Sequence, residues 1–126
     1  MLDLDPQADL TRQFGVAETQ IGMDALLSFK DDARDVILPL SEQLSLIASG
    51  PELHLFEQQT PSIKLGVKLK QLLTSTIQSD ADIILIDCAA ISGLLCTNAV
   101  LAASDMLIPV SAEHGALRGM IKMLPV

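Results

Sequence analysis

The chain has 126 residues, of which 49% are hydrophobic and 19% charged, a balance that fits one globular domain with a core and excludes a disordered polypeptide. A net charge of −8, three Phe and no Tyr or Trp disfavour nucleic acid or anionic lipid as a partner of this chain alone, for want of both attraction and stacking platforms. No apolar run reaches the roughly 18 residues of a membrane helix, and no signal peptide opens the sequence. Cys88 and Cys96 lack framework spacing and read as free thiols in a reducing cytoplasm.

Met1 to Gln7 reads as the last rungs of a strand that ends at Pro6. The strand is shorter than usual, which raises the reading of Met1 as an internal methionine taken as a start. Gln7 to Val16 is polar and turn-like. Gly22 to Phe29, with Met23, Leu26 and Leu27, predicts a short amphipathic helix, and Lys30 to Asp35 a charged loop. Val36-Ile37-Leu38 before Pro39 predicts a short edge strand, and Leu44 to Ala48 a second strand.

Pro51 is placed to open a helix over Glu52 to Gln59, and Thr60-Pro61 another that runs to about Ser79. In that second helix Leu65, Leu69, Leu72, Leu73 and Thr76 share one face. Lys64, Lys68, Gln71, Ser75 and Gln78 share the other, read as solvated rather than as a binding site.

Asp82 to Ala90 is the most informative stretch. Ile83, Ile84, Leu85 and Ile86 form an unalternating apolar run, as in a strand buried on both faces, and it ends at Asp87. Open α/β sheets bind ligands beyond the carboxyl ends of their strands. A carboxylate there wants a cation or a hydrogen-bonding partner; the other reading is an aspartate that caps the next turn. A helix to about Ala103, apolar nearly all round, a buried strand over Asp105 to Val110 and a helix over Glu113 to Leu124 complete the pattern.

Strand and helix alternate with short joints, which predicts an α/β fold with a mostly parallel sheet flanked by helices. In such a sheet Asp3 and Asp5 on one side and Asp87 on the other leave from one edge. Convergent carboxylates suit a hard cation such as Mg²⁺, which in turn suggests phosphate groups.

The segment Asp3-Leu4-Asp5-Pro6-Gln7-Ala8-Asp9-Leu10-Thr11 resembles the acidic segment of the ParA/MinD-type ATPases, the deviant Walker A branch of the P-loop NTPases. Ile83 to Cys88 resembles their Walker B strand. Gly93-Leu94-Leu95, Asn98-Ala99, Ala103-Ser104-Asp105, Leu107-Ile108-Pro109-Val110, Glu113, Ala116-Leu117 and Gly119 fit the same pattern in order and spacing. The likeness is nearest to the ParA plasmid and chromosome partitioning proteins. It implies ATP and Mg²⁺ as cofactors, with Asp87 holding the metal through water and Asp5 orienting the water that attacks the γ-phosphate. It extends the metal shell to Asp9, at a position where many ParA proteins carry Asn, and passes Pro109 and Val110 by the adenine. Asp3 is a supporting acid. For Asp5 and Asp9 the alternative is turn formation and helix capping. The implied partners are a second copy in a homodimer, a partition partner protein and non-specific DNA, in the cytoplasm and without a membrane.

The departures are as telling. No Gly-Lys-Thr or Gly-Lys-Ser occurs in the sequence, so the family's amide cradle, phosphate lysine and hydroxyl ligand for Mg²⁺ have no counterpart. Ala89-Ala90 replaces the usual Pro-Pro, and His114 stands where ParA proteins often have Tyr. The expectation is a single partial nucleotide-binding domain over residues 1–126, truncated at both ends and lacking the first strand, the phosphate loop and the first helix. In the family that strand lies between the Walker B strand and the Asp105–Val110 strand. The chain is therefore expected to fold poorly, to pair those two strands directly, or to associate. The rival expectations are a non-catalytic remnant or pairing module of the same fold and, less favoured, a phospho-receiver domain.

Overall fold

The computed structural model describes residues 1–28, 32–58, 63–74, 81–89, 93–113, 115–116 and 118–119. Its sheet has four strands in the order β2-β3-β1-β4: β1 (Leu2–Leu4), β2 (Ile37–Ser41), β3 (Leu44–Ile47) and β4 (Ile86–Cys88). β1 runs parallel to both β3 and β4, while β2 and β3 form an antiparallel hairpin. The helices are α1 (Asp9–Gln13), α2 (Met23–Leu27), α3 (Ala33–Val36), α4 (His54–Glu57), α5 (Ile63–Leu72) and α6 (Leu94–Ala102). This is the mostly parallel, helix-flanked sheet of a P-loop NTPase-like fold.

β1 is the central strand of the core. Leu2, Asp3 and Leu4 are all buried, and Leu2 and Leu4 pack with Met23, Leu26, Ile47, Leu53, Leu69 and Leu95. Burial of each such leucine contributes roughly 1.5–3 kcal/mol. Pro39 falls inside β2 rather than ending it, because β2 is an edge strand and the missing amide costs no ladder bond on an open side.

Several local expectations are corrected. The turn expected over Gln7 to Val16 contains α1, and the loop expected over Lys30 to Asp35 contains the start of α3. Asp32 caps α3 by accepting a hydrogen bond from the Arg34 amide at 3.0 Å. α2 is not amphipathic: all five of its residues are buried, Asp24 included. The Asp24 carboxylate is satisfied by the amides of Gly22, Ala25 and Glu52.

The stretch before Asp87 also differs from its reading. Ile84, Ile86 and Cys88 pack against the core, whereas Ile83 is 77% and Leu85 58% exposed. The alternation shows that β4 is covered on one face only, as at a sheet edge. Asp105 to Val110 is not a strand: it lies outside the sheet without regular secondary structure, with Leu107 92% exposed. A strand is defined by its pairing, and among the described residues nothing pairs with this one, so the two apolar segments do not close on each other directly. Val100 and Leu101 of α6 are exposed too, on the helix expected to be covered. Of the closing helix, Gly115, Ala116, Arg118 and Gly119 are helical; Leu117, Met120, Ile121 and Leu124 lie outside the described residues. So does Thr76 of the α5 reading, while Leu69 and Leu73 are buried as that reading placed them.

Candidate functional site

β1 and β4 are in register, with Leu2 opposite Ile86, Asp3 opposite Asp87 and Leu4 opposite Cys88. Both chains therefore leave the sheet at the same rim, one through Asp5 and Pro6 and the other through Ala89. Beyond the rim is a cleft of about 320 Å³ lined by Asp5, Pro6, Gln7, His54, Glu57 and Ala89. A larger hollow of about 620 Å³ lies along α5, between Val67, Lys70, Gln71 and Thr74. Asp5 lines the smaller cleft, and none of the acids lines the larger hollow.

Asp3 builds the rim from below. Its carboxylate is fully buried and accepts from the Asp5 amide at 3.1 Å, the Thr11 amide at 2.8 Å and the Thr11 hydroxyl at 2.6 Å. The Thr11 hydroxyl oxygen in turn accepts from the Ser49 amide at 3.1 Å, and the Ser49 hydroxyl donates to the Asp5 carbonyl at 2.7 Å. This network joins β1, α1 and the exit of β3 and fixes the Asp5–Gln7 turn. Asp3 is thereby committed to positioning.

Asp5 is half-buried, and its Oδ1 accepts from the Gln7 amide at 2.8 Å, the local turn bond typical of an aspartate. Asp9, in the first turn of α1, is exposed and ion-paired with Arg12, which also donates to Glu18 at 3.0 Å. Asp87 is exposed and its pKa is raised: partial burial contributes most, followed by the charges of Asp3, Asp5 and Asp9, against which the Cys88 amide acts. Like charges are thus gathered at one sheet edge, with an energetic cost in keeping Asp87 ionised. Burial, the neighbouring Cys96 thiol and the charges of Asp87 and Asp5 push the Cys88 thiol up to about 11.

Among the described residues no three His, Cys, Asp or Glu side chains form a closed metal cage. The rim fits Mg²⁺ in its other mode, in which one or two carboxylates and several waters complete a shell with phosphate oxygens. Pro109 and Val110 lie in the irregular segment after α6 and are not among the described residues lining the cleft.

Glu57 and His54 were not found by sequence reasoning. Glu57 accepts hydrogen bonds from the amides of Leu94 at 3.2 Å and Leu95 at 3.1 Å, so a residue of α4 caps α6. Gly93 makes this approach feasible: a Cβ there would stand 2.5 Å from Glu57 Oε2. In the sequence Ser92 stands beside Gly93 as a ready local cap, so nothing there pointed to a cap supplied from α4. The His54 Nδ1 lies 3.0 Å from the Pro51 carbonyl, which holds the ring at the cleft wall.

A family model described as an AAA domain matches residues 1–126. The chain belongs to the AAA domain family. Within it, the chain is of the ParA/MinD type. It is 32% identical to the sporulation initiation inhibitor protein Soj of Bacillus subtilis, over 98% of this chain and 50% of that protein. It is 27% identical to the chromosome partitioning protein ParA of Myxococcus xanthus, over 98% of this chain and 44% of that protein. Among solved structures, a plasmid partition protein of Borrelia burgdorferi bound to AMPPNP superposes with a TM-score of 0.82 at 26% identity, covering 96% of this chain and 52% of that one. This ParA-type chain spans about half the length of the curated relatives it matches.

Proposed function

We propose that this chain supplies the carboxylate rim of a ParA-like partitioning ATPase, in which Asp5 and Asp87 serve one Mg²⁺–triphosphate. What carries the reading is the parallel β1–β4 register, which sends both acids off the same sheet edge. In it Asp87 would hold Mg²⁺ through water and Asp5 would orient the water for attack on the γ-phosphate, while Asp3 fixes the turn that carries Asp5. Bound Mg²⁺ would neutralise charge on the phosphates. Asp9 would serve the metal shell after release from Arg12, and Pro109 and Val110 would pass the adenine. The nucleotide assignment draws on the AMPPNP bound to the Borrelia relative. A homodimer, a partition partner protein, non-specific DNA and a cytoplasmic setting complete the proposal. With no Gly-Lys-Thr or Gly-Lys-Ser in the sequence, the chain by itself neither binds ATP tightly nor hydrolyses it.

Asp87 provides the test. Its folded-state pKa lies above the ordinary 3.8, so the folded chain holds that proton more tightly than the unfolded one. The ionised group opposes folding: the penalty is absent well below pH 3.8, sets in as pH rises through the window from 3.8 to the raised value, and is complete at neutral pH. Asp87→Asn is therefore expected to raise the melting temperature at pH 7. Millimolar Mg²⁺ should raise that of the wild type and leave Asp87→Asn unmoved. An equal response of the two proteins to Mg²⁺ refutes the rim. Micromolar affinity for ATP refutes the need for the missing cradle.

The second reading, a non-catalytic pairing module of the same fold, is favoured by the exposed apolar side chains of Ile83, Leu85 and Leu107. It predicts partner binding that survives Asp5→Asn and Asp87→Asn alike.

A further inference from the structure

We propose that two copies of this chain exchange strands: the open edge of β4 in each takes residues 105–108 of the other. The inference rests on the pairing-module reading, and it names the surface and the partner. Among the described residues β4 pairs with β1 alone, so the amides and carbonyls of its outer side lack strand partners. An open edge is a template for a further strand, and proteins blunt such edges with proline, lysine or a bulge. The opposite edge is blunted in this way, by Pro39 and by the register shift between Pro39 and Ser41 in β2. Residues 81–88 contain neither proline nor lysine, and β4 pairs with β1 without a shift. Ile83 and Leu85 stand exposed on the approach to this unprotected edge.

The occupant is in the same sequence. Residues 105–108 are apolar after Asp105, have no regular secondary structure, and are followed by Pro109. That proline biases Ile108 toward the extended backbone of a strand and, lacking an amide, ends the pairing beyond it. Met106 and Leu107 are exposed. The segment is a strand without an edge, and β4 is an edge without a strand, yet within one copy they do not pair. In a two-fold pair each copy gives one strand and receives one, so the contact is made twice and the assembly closes. Ile83, Leu85, Met106, Leu107 and Val110 offer exposed apolar area in each copy. With the two added strands, this area is on the order of the roughly 800 Å² per partner that a stable interface buries. The net charge of −8 opposes the approach of a second copy, so added salt should strengthen the association.

The test is sedimentation of the whole chain in dithiothreitol, from micromolar to millimolar concentration, with Leu85→Lys and Leu107→Glu alongside. Both side chains are exposed in the single copy, so each variant should keep the urea midpoint of the wild type. The wild type should pass from monomer to dimer, and the amides of Leu107 and Ile108 should gain protection from exchange only as the dimer forms. Each variant alone should associate at least about tenfold more weakly, because an unpaired charge enters both contacts. An equimolar mixture of the two should recover the association. Its mixed pair has one unaltered contact and one that sets the introduced ammonium against the introduced carboxylate. A chain still monomeric at millimolar concentration, a dimer indifferent to either substitution, or a mixture as weak as its components would each overturn the exchange. Binding of a different partner is read separately, with Asp5→Asn and Asp87→Asn, so failure of the exchange is distinguishable from failure of the pairing-module reading.

Discussion

Asp3→Ala should lower the stability of the chain by about 4 kcal/mol, because it leaves three buried or partly buried donors without their acceptor. These are the amides of Asp5 and Thr11 and the Thr11 hydroxyl. Domains of this kind are stable by only about 5–15 kcal/mol, so the loss is a large share of the total. Asp3→Asn should fall between, since its carboxamide keeps one accepting oxygen and turns a donor toward other donors. Urea denaturation measures both. The same experiment on Thr11→Val should show a smaller loss, which tests whether the two residues act through one network. A midpoint for Asp3→Ala close to that of the wild type would mean that the rim is not built on this carboxylate.

The second large effect concerns the open side of the sheet. Amides of Met106, Leu107, Ile108 and Val110 are expected to exchange with solvent almost as fast as in an unfolded chain, whereas those of Leu2 and Ile47 should be protected by several orders of magnitude. The contrast follows from the bonding. Leu2 donates to the Leu85 carbonyl at 2.8 Å and Ile47 to the Met1 carbonyl at 2.9 Å, both within the sheet. Residues 105–110 run outside it, with Met106 60% and Leu107 92% exposed. Strong protection of Leu107 and Ile108 in a dilute monomer would show that this segment finds a strand partner in solution.

The sheet and the site were legible to different depths in the sequence. An apolar run ending in Asp87 and an acidic stretch ending at Pro6 were enough to place two strand ends, because burial and proline chemistry act locally. Whether the acids converge depends on the β1–β4 register, set by packing that no single segment encodes. The exposure of Ile83 and Leu85 was missed for the same reason. A run of four aliphatics reads as doubly buried, but what covers a strand is decided by its neighbours. α1 and α3 escaped notice because they are only five and four residues long, too short for a periodic pattern to show. Glu57 was invisible as a cap because its contact with α6 spans 37 positions.

That long-range cap bears on which changes the chain tolerates. The contact joins a side chain to backbone amides, so positions 94 and 95 can vary in residue type without losing it. The constraint falls entirely on the two ends that look least important: an acceptor of the right length at Glu57, and no side chain at all at Gly93. A glutamate and a glycine that have no part in the proposed chemistry thus hold the helix start beside the cleft in place.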